Sequence, residues 1–128
     1  GLPLTLLETR EADVFGVWEM GMSNLGEIGL LAGIAQPDIG IITNIGVAHI
    51  ENMGSRDSIA QEKGDLVERI SSNGYVVLNA EDEYSVSIAR CYVNIVIILS
   101  SIHINCATAN IDVIYSFAAI HSGRLNNC

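Results

Sequence analysis

Basic residues are scarce in this chain. Six Lys and Arg stand against fifteen Asp and Glu, for a formal net charge of −9 over 128 residues, and Lys63 is the only lysine. A charge of that sign argues against nonspecific binding to nucleic acid or anionic membranes. It does not exclude a phosphate ligand held through metal ions. A single lysine in mid-chain also leaves none for a phosphate loop, and the pattern G-x-x-x-x-G-K-[ST] is absent. Gly21, Gly26 and Gly29 do not form the dinucleotide fingerprint G-x-G-x-x-G. No apolar run reaches the length that spans a bilayer. The opening GLPLTLLETR has neither a basic leader nor a cleavage pattern, so no signal peptide is expected. Cys91, Cys106 and Cys128 are too widely spaced for a zinc motif or a disulfide framework, and a reducing cytoplasm is the expected setting.

What is present suggests one domain, or part of one, with a sizeable core: 49% of the residues are hydrophobic. ADVFGVWEMG, DIGIITNI, YVVLNA and VNIVIILS read as strands, each a short apolar run rich in β-formers. GEIGLLAGIAQ reads as a helix, with Ile28, Leu31, Ile34 and Ala35 at helical spacing and Pro37 just beyond its end. Residues 57–70 read as a second helix with Ile59, Leu66, Val67 and Ile70 on one face, stopped by Asn73-Gly74. GVAHIENMG reads as a loop, and EDEYSVSIAR as a short helix. Strands without polar alternation, interleaved with helices, predict an α/β fold: a mainly parallel sheet covered by helices on both faces, with right-handed crossovers. The core reading covers residues 1–99. Residues 100–128 lose any clear period and are expected to add a β-segment or remain without order.

Ligands of open α/β sheets bind beyond the carboxyl ends of the strands. Glu19 closes the first predicted strand. Asn44 closes the second, with His49 five residues further on. A carboxylate and an imidazole at one crevice suit Mg²⁺ or Mn²⁺, or an acid and base pair. A solvated strand-end acid and an ordinary loop histidine fit the same pattern. Lys63 lies four residues from both Ile59 and Val67, on the apolar face of its helix. It is either a lysine snorkelling along the edge of that face or a desolvated amine with a lowered pKa. Periodicity does not choose between these.

Five segments in order, GLPLTLL, EMGMSNLGEI, PDIGIITNIGVAHIENMGS, IAQEKGDLVE and GYVVLNAED, resemble the central ATPase domain of the Mur ligase family over roughly residues 1–82. The resemblance implies a P-loop NTPase-like fold and an ATP-dependent amide ligase of cytoplasmic peptidoglycan precursor synthesis. Its substrates would be a UDP-N-acetylmuramoyl-tripeptide and D-alanyl-D-alanine, joined through an acyl phosphate, with ATP and Mg²⁺ required. It implies that Glu19 binds Mg²⁺ at the ATP phosphates, that His49 helps bind a second Mg²⁺, and that Lys63 is carbamylated and acts with His49 in catalysis and metal binding. Asn44 and Asn79 would be nucleotide-side contacts. Ser23, Asn24 and Leu25 stand where the family often has NHP before GEI. Without a phosphate loop the chain is expected to be a fragment of such an enzyme and inactive alone. A sister ligase of the cyanophycin or folylpolyglutamate synthetase kind, or a non-catalytic α/β binding module, is the alternative.

Overall fold

The computed structural model describes residues 1–48, 50–91, 95–99 and 114–119, the last two segments by their strand pairing. The elements run α1 (Leu2–Leu7), β1 (Phe15–Met20), α2 (Glu27–Ala35), β2 (Ile39–Ile42), α3 (Ile50–Met53), α4 (Arg56–Arg69), β3 (Tyr75–Asn79), α5 (Glu83–Cys91), β4 (Ile95–Leu99) and β5 (Ile114–Ala119). One five-stranded sheet has the order β1-β5-β2-β3-β4. β2 pairs with β3 and β3 with β4 in parallel, while β5 lies antiparallel between β1 and β2. Four strands therefore share a direction and the fifth opposes them.

Three local features differ from the sequence reading. α1 was not anticipated in GLPLTLL: it starts on Pro3 in its first turn, where the missing N–H costs nothing. α4 ends at an extended Ile70, before Asn73-Gly74. Gly74 serves close packing instead, since a Cβ there would collide with the Asp38 carbonyl oxygen, which accepts from Tyr75 N at 3.0 Å. α4 begins on Ser55, whose Oγ accepts from Ser58 N at 3.1 Å, a conventional N-cap. α3 falls inside the stretch read as loop.

The core lies on one face of the sheet. Trp18, Met20, Ile42, Val76 and Leu78 are buried there, with Ile28 and Ala32 from α2 and Ile59, Leu66 and Val67 from α4. Register explains the layer: Met20 and Ile42 both oppose Ile114, and Ile42 also opposes Leu78. At Gly40 a Cβ would stand 3.1 Å from Leu66 Cδ2, so the glycine admits the helix close to the strand. The expected cover on both faces is not found among the described residues. The alternate strand positions Phe15 (75% exposed), Val17 (54%) and Tyr75 (43%) face outward. On α2 the buried side is Ile28, Gly29 and Ala32, and Ile34 is exposed. No helix among the described residues is long and apolar enough to cross a membrane.

Candidate functional site

β1 and β2 both run antiparallel to β5, so they point the same way, and Glu19 and Ile41 face the same residue, Tyr115. Ile42 opposes Leu78, so Asn44 and Asn79 emerge from neighbouring strand ends. Glu19, Asn44 and Asn79 thus share the carboxyl edge, where open α/β sheets take their ligands. Their side chains are used differently. Glu19 alternates with buried Trp18 and Met20 and is exposed on the open face of the sheet. Asn79 Oδ1 accepts from Glu81 N at 2.9 Å and shapes the turn after β3. His49 lies outside the described residues.

Lys63 approaches the same edge from the helical layer. It is 1% exposed, and its Nζ donates to Asn44 O at 2.7 Å. A snorkelling lysine would hold its ammonium in water; this one spends it on the loop after β2. The residue before it does the converse. Glu62 is 2% exposed and accepts from Gly26 N at 2.6 Å and Ile28 N at 2.7 Å. Those N–H groups open α2, where backbone donors lack helical partners and the helix dipole favours an anion. Glu27 completes that loop, accepting from Ser23 N at 2.6 Å and Asn24 N at 3.2 Å through Oε2, and from Asn24 Nδ2 at 2.9 Å through Oε1.

A second polar group secures the loop after β2. Asp82, 8% exposed, accepts from Ile45 N at 2.9 Å and Ser85 Oγ at 2.7 Å. Arg56 donates through Nε to Ile45 O at 2.6 Å and pairs through Nη2 with Asp82 Oδ1 at 3.1 Å. Asp65 lies one turn before Arg69 on α4, and its pKa is raised. Burial raises its pKa, the neighbouring Glu62 and Glu68 raise it further, and Arg69 opposes them.

Glu62, Arg56 and Asp82 escaped the sequence reading. Glu62 had a usable signal: it lies three residues after Ile59 and four before Leu66, on the same buried face that singled out Lys63. Arg56 and Asp82 are 26 residues apart, and nothing in local pattern joins them.

The donors at this edge fit a hard divalent cation. Mg²⁺ takes oxygen ligands, keeps several waters and needs one or two carboxylates. Glu19 offers an exposed carboxylate, and Asn44 Oδ1 is a buried acceptor with no partner among the described residues. No cluster of three or more His, Cys, Asp or Glu suited to a metal occurs among the described residues. A groove of about 540 Å³ runs between α4 and α5, past Gln61, Tyr84 and Cys91, and includes none of the candidate residues.

Comparison with known proteins bears on this geometry. Residues 1–117 match the family described as the Mur ligase middle domain. The UDP-N-acetylmuramoyl-tripeptide–D-alanyl-D-alanine ligase of Bacillus subtilis (strain 168) is 44% identical over 77 residues, which is 60% of this chain and 17% of that protein. The ligase of the same name from Mycobacterium bovis is 39% identical over 90 residues, 70% of this chain and 18% of that protein. A crystal structure of MurF from Acinetobacter baumannii superposes with a TM-score of 0.72 at 30% identity, over 76% of this chain and 22% of that one. The chain therefore spans about a sixth of the length of the curated relatives it matches.

Proposed function

Because this chain belongs to the Mur ligase middle-domain family, we propose that it supplies part of the ATP and Mg²⁺ side of a ligase that joins D-alanyl-D-alanine to a UDP-N-acetylmuramoyl-tripeptide. The single observation that carries this reading is Lys63, the only lysine, buried with its Nζ on the Asn44 carbonyl at the carboxyl edge shared with Glu19 and Asn79. A ligase of this kind gathers negative charge where a carboxylate is phosphorylated, and bound Mg²⁺ would neutralise it and orient the phosphates. Glu19 would hold the ion at the phosphates. His49 would serve a second ion and the catalytic step. Asn44 and Asn79 would contact the nucleotide.

Lys63 has the most exacting role. Nζ, having lost one proton to become a neutral amine, can add CO₂ to give a carbamate with release of a second proton; the cation becomes an anion able to face metal ions instead of repelling them. The carbamate nitrogen keeps one N–H, so the bond to Asn44 O survives the change. Residues 1–99 would form the nucleotide-side core, with β5 completing its sheet between β1 and β2.

The activities for which these relatives are named favour this ligase over a cyanophycin or folylpolyglutamate synthetase. The test is a graft. The 77 residues of this chain that align with the Bacillus subtilis ligase replace the matching segment of that enzyme, and D-alanyl-D-alanine-dependent phosphate release is measured. The graft is expected to turn over, and Lys63→Ala in it to lose at least about a hundredfold (~2.7 kcal/mol of barrier), partly restored by short carboxylic acids. Unchanged turnover in Lys63→Ala would refute the role given to Lys63.

A further inference from the structure

Residues 43–48 carry Asn44 and lead to His49, yet they belong to no helix or strand. Outside any ladder or helix, their course is set in part by side chains that reach them, alongside the bond from Ile50 N to Val47 O at 3.2 Å. Two of those side chains form a closed circuit around one residue. Arg56 Nε holds the carbonyl of Ile45 at 2.6 Å, and Asp82 Oδ2 holds its N–H at 2.9 Å. The two clamp arms are joined to each other at 3.1 Å through Arg56 Nη2 and Asp82 Oδ1. Each arm is braced in turn. Ser85 Oγ donates to Asp82 at 2.7 Å, and the Arg56 guanidinium carbon lies 4.4 Å from the centroid of the Tyr84 ring. The next residue back, Asn44, is the one whose carbonyl receives Lys63.

We propose that Arg56 and Asp82 are positioning residues: they clamp the Ile45 peptide groups from both sides and thereby set the Asn44 carbonyl against Lys63 Nζ. An isolated surface ion pair contributes little. Here the pair is committed to backbone, with Asp82 8% exposed and its carboxylate accepting from three donors. Such charge-assisted bonds are stronger and more directional than neutral ones. The clamp also ties together elements from different parts of the chain, since Arg56 starts α4 and Asp82 follows β3. Moving either would shift the loop while leaving the sheet in place. The meaning of the clamp for catalysis rests on the proposed role of Lys63; its existence does not.

Because Lys63 is the only lysine, ¹⁵N-lysine labelling of the 128-residue chain gives one side-chain signal. The experiment measures hydrogen exchange of the Lys63 Nζ protons by NMR, beside the backbone amides of Val76 and Leu78 in β3. In the unsubstituted chain the Nζ protons are expected to exchange slowly, as a buried, bonded group does. Arg56→Leu should speed them by about tenfold, the scale of one charge-assisted bond, with Val76 and Leu78 unchanged. The Arg56 side chain is 37% exposed, so its removal leaves the core intact. Asp82→Ala should have the larger effect, and Asp82→Asn, which keeps an acceptor for Ile45 N, should recover part of it. Unchanged Lys63 exchange in Arg56→Leu would overturn the proposal, as would acceleration matched by Val76 and Leu78. Failure of Lys63→Ala to affect the grafted ligase would instead count against the role of Lys63 and leave the clamp standing.

Discussion

The two loops at the carboxyl edge of the sheet are held by opposite charges. The loop between β1 and α2 presents N–H groups, and carboxylates take them: Glu27 at Ser23 and Asn24, Glu62 at Gly26 and Ile28. The loop after β2 presents carbonyls at Asn44 and Ile45, and cations take those: Lys63 and Arg56. Asp82 follows the same rule at an N–H of the second loop, Ile45 N. The difference comes from which backbone groups each place leaves unpaired. The start of a helix has spare donors, and a loop leaving a strand has both donors and acceptors to satisfy. α4 serves both loops from consecutive positions, with Glu62 turned to one and Lys63 to the other. Burying two charged residues side by side is costly unless each finds a full set of partners, and the backbone supplies them.

Reversing the polarity should break this arrangement most severely. Glu62→Lys would put a cation against two buried N–H groups and the positive end of α2, and is expected to cost about 4 kcal/mol or more in a urea titration. Lys63→Glu would face a carboxylate with the Asn44 carbonyl and should cost about 2–3 kcal/mol. The neutral isostere Lys63→Met should cost no more than about 1 kcal/mol, since losing one bond is offset by removing a buried charge. A Lys63→Met chain less stable than Lys63→Glu would show that shape, and not charge, governs this position.

The smallest effect concerns Asp65, beside Glu62 on α4. Its folded pKa is raised above 3.8, chiefly by burial. The folded chain therefore binds this proton more tightly than the unfolded chain does. The group favours folding fully below about pH 3.8, and that contribution is lost as pH rises through the folded pKa. Asp65→Asn should raise the melting temperature slightly at pH 7, and the gain should shrink toward zero near pH 3.5. Thermal melts at the two pH values check it. A gain of equal size at both would remove ionisation as the cause. In a separate assay the 128-residue chain, which contains no phosphate-loop motif, is expected to release no phosphate from ATP above a buffer blank.

Much of the site was visible before the fold. Apolar runs placed β1, β2 and β3, and strand ends placed Glu19 and Asn44 at one edge, with Asn79 added by the family resemblance. Helical spacing put Lys63 on a buried face, where it lies. It did not say what the amine would meet, because the Asn44 carbonyl is a backbone group and leaves no mark in the residue pattern. The clamp was hidden for a related reason. Arg56 and Asp82 each look like ordinary surface charges until β2 and β3 pair and bring the Ile45 peptide between them. A β-segment beyond residue 100 was one of two expectations, but its place between β1 and β2 was not legible, since that depends on pairing at long range. The second helical layer was expected from the apolar strands, yet Phe15, Val17 and Tyr75 face outward among the described residues. Strand hydrophobicity reports what suits a covered sheet and not whether the cover is present.

The central claim is that each loop is fixed by its own charged side chains. Residue-resolved amide exchange of Gly26, Ile28 and Ile45 in Glu62→Gln and Asp82→Asn tests it most directly. Glu62→Gln should speed Gly26 or Ile28 by about tenfold and leave Ile45 alone, and Asp82→Asn should do the reverse. Parallel acceleration of all three amides in both variants, or of none in either, would contradict the account.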